Sequence, residues 1–141
     1  MSLILNIETS TTNCSVSVSE NEEIIASQEK NFEYYSHSEV LHVYIAELFS
    51  KSNLEITDIR AVSISEGPGS YTGLRIGSAT AKGICFALKI PLIAIDTMNI
   101  LAKKIKSSRG YIIPNLDAGR NEIYFSVFDC NYKKIQPTNF K

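Results

Sequence analysis

Apolar and polar positions along the first thirty residues follow the alternation that is typical of β-strands. Residues 3–8 form an apolar run of the length of a central strand, and residues 13–19 alternate Cys or Val with Ser and Asn. Asn21 tolerates a left-handed backbone, so the chain can turn there and return over residues 23–30. The pattern predicts three antiparallel strands.

Two longer helices are predicted next. Ser36 and Glu39 have the spacing of a capping box, Tyr35 and Val40 that of a hydrophobic staple, and the helix should run to about Ser52. A short strand at 61–65 then leads into a glycine-rich connection. A second helix follows to about Leu88, because the backbone before Pro91 is biased away from helix.

The pattern continues with a strand at 92–95, a short helix capped by Asp96 or Thr97 and running to Lys106, and a strand that begins at Tyr111. Strands that alternate with helices indicate an α/β fold. With 44% hydrophobic and 21% charged residues, the chain can bury a core. A formal net charge of −1 argues against nucleic-acid binding driven by bulk charge.

The N-terminus lacks the order of segments that a secretion signal requires. The most apolar region, residues 74–95, is interrupted by charges and a proline, so it is a poor membrane span. We therefore expect a cytoplasmic protein without membrane contact. Its three cysteines, Cys14, Cys85 and Cys130, are interpreted as small core side chains.

Two stretches of the chain resemble one another. The words LNIETS at 5–10 and NLDAG at 115–119 align with an offset that places Asp117 on Glu8 and Phe125 on Val16. Each copy is a strand that ends in a carboxylate, followed by a small polar turn and a second strand. The repeat predicts two related lobes, a complete one at 1–109 and the opening strands of another at 110–141.

The second helix carries Gly73, Gly77 and Gly83, each of which costs about 1 kcal/mol relative to alanine in a helix interior. Gly73, Gly77 and Ala81 recur at four-residue spacing, which makes a stripe that another helix can approach closely. The stripe could serve internal packing alone or a partner surface, and the sequence leaves both open. The predicted recognition surface combines apolar residues of the first helix with the stripe and its neighbour: Val40, Leu41, Tyr44, Ile45, Leu48, Gly73, Leu74, Gly77 and Ala81.

The glycine-rich loop at 67–77 is a weak phosphate-binding signal. It lacks the Lys-Ser/Thr ending of a P-loop, and its glycine spacing is one residue too long for a dinucleotide fingerprint. Taken alone, a structural turn is the better interpretation. The two histidines, His37 and His42, are five residues apart, which on a helix turns them away from a common metal.

Four stretches together resemble one family: ILNIETS at 4–10, HSE at 37–39, GPGSYTGLRIG at 67–77 and DAGRNEIY at 117–124. They are similar to the bacterial TsaB family, a subunit of threonylcarbamoyladenosine biosynthesis. The resemblance covers nearly the whole chain in the same order. It implies an α/β, actin-like (Hsp70-like ATPase) fold of duplicated lobes, here with the first lobe complete and the second only partly present.

The resemblance also implies a role in placing threonylcarbamoyl on N6 of adenosine 37 in tRNAs that read codons starting with A. In that system a TsaB-like subunit is a non-catalytic scaffold, with no catalytic residue, metal or cofactor of its own. Its partners are the catalytic paralogue TsaD and the small ATPase TsaE, it forms a homodimer in their absence, and it meets tRNA only through the complex. The first two helices are expected to make the partner contact.

Two alternatives remain. The chain could be an actin-like nucleotide-binding ATPase, and the loops nearest a nucleotide would then carry Glu8, Thr9, Ser10, Asp117, Gly119 and Arg120. A metallopeptidase of the glycoprotease type is the less favoured alternative, because the clustered ligands that it needs are missing from the sequence. Relatives in the family are expected to have a longer second lobe, with further strands and helices after the hairpin that ends near Phe140.

Overall fold

The computed structural model describes residues 2–31 and 37–141, with only the backbone of His37. Three antiparallel strands open the chain as predicted, and helices and parallel strands alternate after them. The elements in chain order are β1 (Leu3–Glu8), β2 (Asn13–Glu20), β3 (Glu23–Asn31), α1 (His37–Ser52), β4 (Ile59–Gly67), α2 (Tyr71–Leu88), β5 (Leu92–Asp96), α3 (Thr97–Lys103), β6 (Tyr111–Ile112), β7 (Asn115–Gly119), β8 (Glu122–Asp129) and β9 (Lys134–Phe140).

The first sheet has the strand order β3-β2-β1-β4-β5, with β4 parallel to both β1 and β5. The register pairs Leu5 with Val18 on one side and with Val62 on the other. Because side chains alternate along a strand, these three residues share one face. Helix α1 covers that face over β2 and β3, and α2 covers it over β4. The buried residues of the sheet and both helices form one apolar core.

Helix α2 begins and ends at well-defined caps. The Ser70 hydroxyl accepts a hydrogen bond from the Gly73 amide at 3.1 Å. At the other end, the cap residue Lys89 has a left-handed backbone with φ of 56°, and its amide donates to the Cys85 carbonyl. This conformation costs a non-glycine residue about 1 kcal/mol. The helix therefore ends on a lysine at a position that usually favours glycine.

Helix α3 starts where the sequence predicted and ends earlier. Of the two candidate caps, Asp96 is the one used, since its side chain accepts from the Asn99 amide at 3.0 Å. The helix ends at Lys103, three residues before the predicted Lys106, because Lys104 and Ile105 bond to the carbonyls three residues before them. Such tighter bonds commonly close the last turn of a helix.

The second sheet repeats the opening hairpin of the first. Strand β8 pairs with β6 and β7 along one edge and with β9 along the other, all antiparallel. Met98 and Ala102 of α3 pack with Ile112 and Phe128 of this sheet in a second, smaller core. An ion pair of 2.9 Å between Lys134 and Asp96 also joins the two regions. The division into lobes at residues 109 and 110 stays a prediction.

The predicted capping box and staple before α1 involve Ser36 and Tyr35, which lie outside the described residues. The structure therefore does not test them. Within the described ranges, no helix combines the length and the apolar character that crossing a bilayer requires.

Candidate functional site

The two turns that the repeat singled out have the same local geometry. A Glu8 carboxylate oxygen accepts from the amide of Ser10 at 2.7 Å, and an Asp117 oxygen accepts from the amide of Gly119 at 2.7 Å. In both cases the acceptor lies two residues before the donor, as in an Asx-type turn. The internal repeat is thus also a repeat of turn structure.

The Glu8 carboxylate is engaged on both oxygens. While one accepts from the Ser10 amide, the other accepts from the Ser65 hydroxyl of β4. Both bonds fix the carboxylate between β1 and β4, so its lone pairs are partly used within the chain. The Glu8 carboxylate is thus held in place by donors of its own chain.

The glycine-rich loop packs against the first turn. The Ser70 amide donates to the Ser10 carbonyl at 2.6 Å, and a Cβ on Gly69 would overlap with the backbone and side chain of Ser10. At the helix start, the Gly73 amide donates to the Ser70 hydroxyl, and the Leu74 amide donates to the Ser70 carbonyl as the first helical bond. The amides of Tyr71 and Thr72 have no acceptor among the described residues, so only part of the donors that could bind a phosphate are used inside the chain. This geometry supports the interpretation of the loop as a structural turn.

A recess of about 280 Å³ separates the two turns. Ser10, Gly69 and Ser70 line one side and Asp117 lines the other, so the structure brings Ser10 and Asp117 to one recess. Their proximity to a nucleotide stays a prediction. Gly119 and Arg120 are exposed and do not line the recess. Thr9 points elsewhere, because its side chain is buried against helix α2.

A larger cavity of about 640 Å³ lies on the second face of the first sheet, beside α3. Polar side chains cover this face and form hydrogen bonds with one another. The Asn6 amide donates to the hydroxyls of Ser17 and Ser19 at 3.2 and 3.1 Å, and Ser63 donates to the Asn6 oxygen at 2.7 Å. Most polar groups that line the cavity are thus already satisfied, and Thr97 is the described side chain there that is buried without a partner.

The described residues contain no group of three or more His, Cys, Asp and Glu side chains that could hold a metal. Cys14 and Cys85 are buried free thiols, and Cys130 is half-buried. Burial raises the pKa of Cys14 from 9.0 to about 11 and also raises the pKa of Cys85. Both buried cysteines are therefore protonated, poorly nucleophilic core side chains, as the sequence indicated.

The small-residue stripe of α2 faces the interior of its own chain, which corrects its predicted place on the surface. Gly73, Gly77 and Ala81 are all buried, and Ala81 is 0% exposed. The Thr9 hydroxyl donates to the Gly73 carbonyl at 2.8 Å, and a Cβ on Gly77 would overlap with that hydroxyl. The stripe lets the end of β1 approach the helix closely, so a partner cannot contact it.

The apolar side of α1 is buried in the same core. Leu41, Ile45 and Leu48 are buried, and Val40 and Tyr44 pack against them while remaining partly exposed. Leu74 of α2 is half-buried next to Gly67. The core residues of the predicted recognition surface thus hold the two helices on the sheet, because an amphipathic helix turns its apolar stripe inward.

The opposite side of α2 is exposed and carries a different small-residue pattern. We call Thr72, Ala79, Gly83 and Phe86 the outer face of α2, since their helical positions fall within one narrow sector. Phe86 is 87% exposed, and a Cβ on Gly83 would meet nothing within 4 Å. On α1, Val43 and Ala46 are exposed in the same way. The sequence held one signal for this exposed face, which is Gly83. It is a helical glycine that does not belong to the stripe of Gly73, Gly77 and Ala81.

Comparison with known proteins decides the family. The family model described as TsaD, tRNA N6-adenosine threonylcarbamoyltransferase, matches residues 23–139. A protein of Buchnera aphidicola (strain APS) named tRNA threonylcarbamoyladenosine biosynthesis protein TsaB is 32% identical over 94% of this chain. The chain belongs to the TsaD family, on its TsaB-like branch. The family predicted from the sequence is confirmed.

The solved structures agree on the fold. YeaZ from Pseudomonas aeruginosa superposes with a TM-score of 0.86 at 23% identity and covers 99% of this chain and 66% of its own. The ethanolamine utilization protein EutJ from Carboxydothermus hydrogenoformans superposes with a TM-score of 0.61 at 14% identity, over 100% of this chain and 52% of its own. The predicted α/β, actin-like fold is confirmed. The chain spans 60% of the length of the Buchnera relative.

Proposed function

We propose that this chain is a non-catalytic scaffold subunit in the formation of N6-threonylcarbamoyladenosine at position 37 of tRNA. The names of its relatives support the pathway. The geometry of the turns supports the non-catalytic role, since both Glu8 oxygens and the amides of Ser70 and Gly73 already bond within the chain. A TsaD-like catalytic paralogue and a small TsaE-like ATPase are its partners, and a homodimer forms in their absence. tRNA contacts the assembly through the complex.

The partner surface is the outer face of α2 together with Val43 and Ala46 of α1. The observation that carries this proposal is the pair of Phe86, which is 87% exposed, and Gly83, which has open space where a side chain would lie. A helical glycine that no intrachain contact requires allows another helix to approach closely. An exposed aromatic side chain beside it is the usual anchor of a protein interface.

Co-elution with the purified catalytic paralogue in size-exclusion chromatography tests the proposal. We expect the wild-type chain to co-elute and Phe86→Glu to lose at least tenfold in affinity, because the charge must be desolvated in the interface. Phe140→Glu is the matched control, since Phe140 is also a largely exposed phenylalanine but lies on β9. An equal loss of affinity in both variants would count against the proposed surface. Failure of the wild-type chain to co-elute with the paralogue would count against the proposed function.

The recess between Ser10 and Asp117 favours one alternative, the binding of a nucleotide without a scaffold role. Titration calorimetry of the chain with Mg-ATP separates the two. The scaffold proposal expects no saturable binding below millimolar concentration, whereas micromolar binding that Asp117→Asn weakens would support the ATPase alternative.

A further inference from the structure

Helix α2 carries a one-sided charge pattern that its own chain does not use. Its only charged residues are Arg75 and Lys82, and the cap residue Lys89 continues the series. No Asp or Glu occurs between Tyr71 and Lys89, although the whole chain has a net charge of −1. The rest of the chain is thus net acidic, and α2 is basic, as is the stretch 103–109 after it.

The three cations recur at intervals of seven residues. At a rise of about 1.5 Å per residue, neighbouring charges lie about 10.5 Å apart along the helix, and a step of seven residues rotates by only about 20°. Arg75 and Lys82 therefore lie on one nearly straight line along α2, and Lys89 continues the seven-residue spacing at the cap. We call these three residues the basic line. It flanks the outer face of α2, since Thr72, Ala79 and Phe86 also recur every seven residues, three positions earlier.

The basic line has no acidic partner within the described residues. The ion pairs found there are Lys51 with Glu47 and Lys134 with Asp96. The Arg75 guanidinium instead lies 5.4 Å from the Tyr71 ring centroid and donates to the Tyr71 hydroxyl at 3.2 Å. This contact orients the side chain without neutralising it. Glu66 lines the same recess as Arg75 and Lys82 and forms no ion pair with either of them, so the line keeps three positive charges with one acidic side chain nearby.

Lys89 provides an independent observation. It adopts a left-handed backbone with φ of 56° at the end of α2, where glycine is the usual residue. Lys89 is exposed and its side chain belongs to neither apolar core. Packing in the core therefore does not explain why a lysine occupies this position. The seven-residue series thus ends on an exposed lysine at a position where glycine is the usual residue.

We propose that the basic line pairs with a row of acidic side chains along the edge of a helix of the catalytic paralogue. This inference rests on the proposed function and adds the chemistry of the partner. A small and apolar seam flanked by charges at seven-residue intervals is the arrangement by which packed helices select partner and register. The line therefore orients the docking helix, while Phe86 and Gly83 supply the close contact. Such flanking charges act mainly on the association rate.

Stopped-flow measurement of association with the purified paralogue tests the inference. At about 20 mM salt, we expect Lys82→Glu to lower the association rate constant about tenfold, and at about 0.5 M salt the difference should shrink to less than twofold, because salt screens exposed charges. Lys89→Gly should lower the low-salt rate about threefold while keeping or raising the melting temperature. That variant removes the charge and the backbone strain together, so misfolding cannot account for its effect.

Lys106→Glu is the matched control, because it makes the same charge change at an exposed site outside α2, just after α3. Its rate should equal that of the wild type. Wild-type binding with unchanged rates for Lys82→Glu and Lys89→Gly overturns the acidic-helix inference alone. A Lys82→Glu variant that binds the paralogue normally but loses tRNA affinity or self-association also overturns it. Failure of the wild type to bind the paralogue overturns the proposed function as well.

Discussion

Gly77 and Gly83 both lie within helix α2 and meet opposite surroundings. At Gly77 the buried Thr9 hydroxyl occupies the place of a side chain, whereas at Gly83 that place is open space. The helix propensity of the two residues is the same, so the composition of the helix does not separate them. The comparison teaches that one glycine is required by the fold of the chain, whereas the other is required by no contact among the described residues.

The largest effect on stability is expected from a substitution on the buried side of α2, at Gly77. Gly77→Leu should lower the free energy of unfolding by about 3 kcal/mol, because the new side chain overlaps with Thr9 and separates β1 from α2. Urea denaturation followed by circular dichroism measures the change. Gly83→Leu is the control and should unfold at the same or a higher urea concentration. A stable Gly77→Leu variant that only fails to bind a partner would reverse our assignment of the two faces.

A double-mutant cycle tests whether Thr9 is the group that excludes a side chain at position 77. Thr9→Ala and Gly77→Ala should each destabilise the chain by about 1–2 kcal/mol, the first by losing the hydrogen bond to Gly73 and the second by steric overlap. The double variant should be more stable than the sum predicts by about 1 kcal/mol, since removal of the hydroxyl makes room. If the two substitutions have additive effects in the same denaturation assay, a group other than Thr9 excludes a side chain at position 77.

The smallest effect is expected on the outer side. Gly83→Ala should raise the free energy of unfolding by up to about 1 kcal/mol, because alanine favours helix and nothing opposes its methyl group. Ala79→Gly on the same face should lower it by a similar amount. Thermal melting compares the pair. If Gly83→Ala destabilises the chain, an intrachain contact at this position exists and the outer face is not free.

Much of the first sheet was predictable from local patterns. An apolar run predicted β1, alternation predicted β2 and the turn at Asn21 predicted β3, each to within one residue, and the repeat placed Glu8 and Asp117 at equivalent turns. Both signals are short-range, because the period of two depends only on strand geometry. The length of α3 was overestimated, since a 3-10-type closure at Lys104 has no distinct sequence pattern.

Which side of α2 is buried was harder to predict. Helical spacing identified Gly73, Gly77 and Ala81 as one stripe, but spacing cannot tell whether a small-residue stripe meets a partner helix or the end of a strand. The structure decides this through Thr9, which is distant in sequence and bonds to the Gly73 carbonyl. The core residues of α1 were misassigned for the same reason, since an apolar stripe is needed for internal packing before it is available to a partner.

The amino-acid sequence by itself determined the α/β alternation, the internal repeat and the family, because these depend on periodicity and on words of adjacent residues. Only the tertiary structure decided which side of α2 is buried, how Glu8 is bonded and which glycine stays open. Those properties depend on groups brought together from distant parts of the chain, such as Glu8 with Ser65 and Thr9 with Gly73. The pairing of such groups is set by the packing of helices on the sheet, which local patterns do not encode.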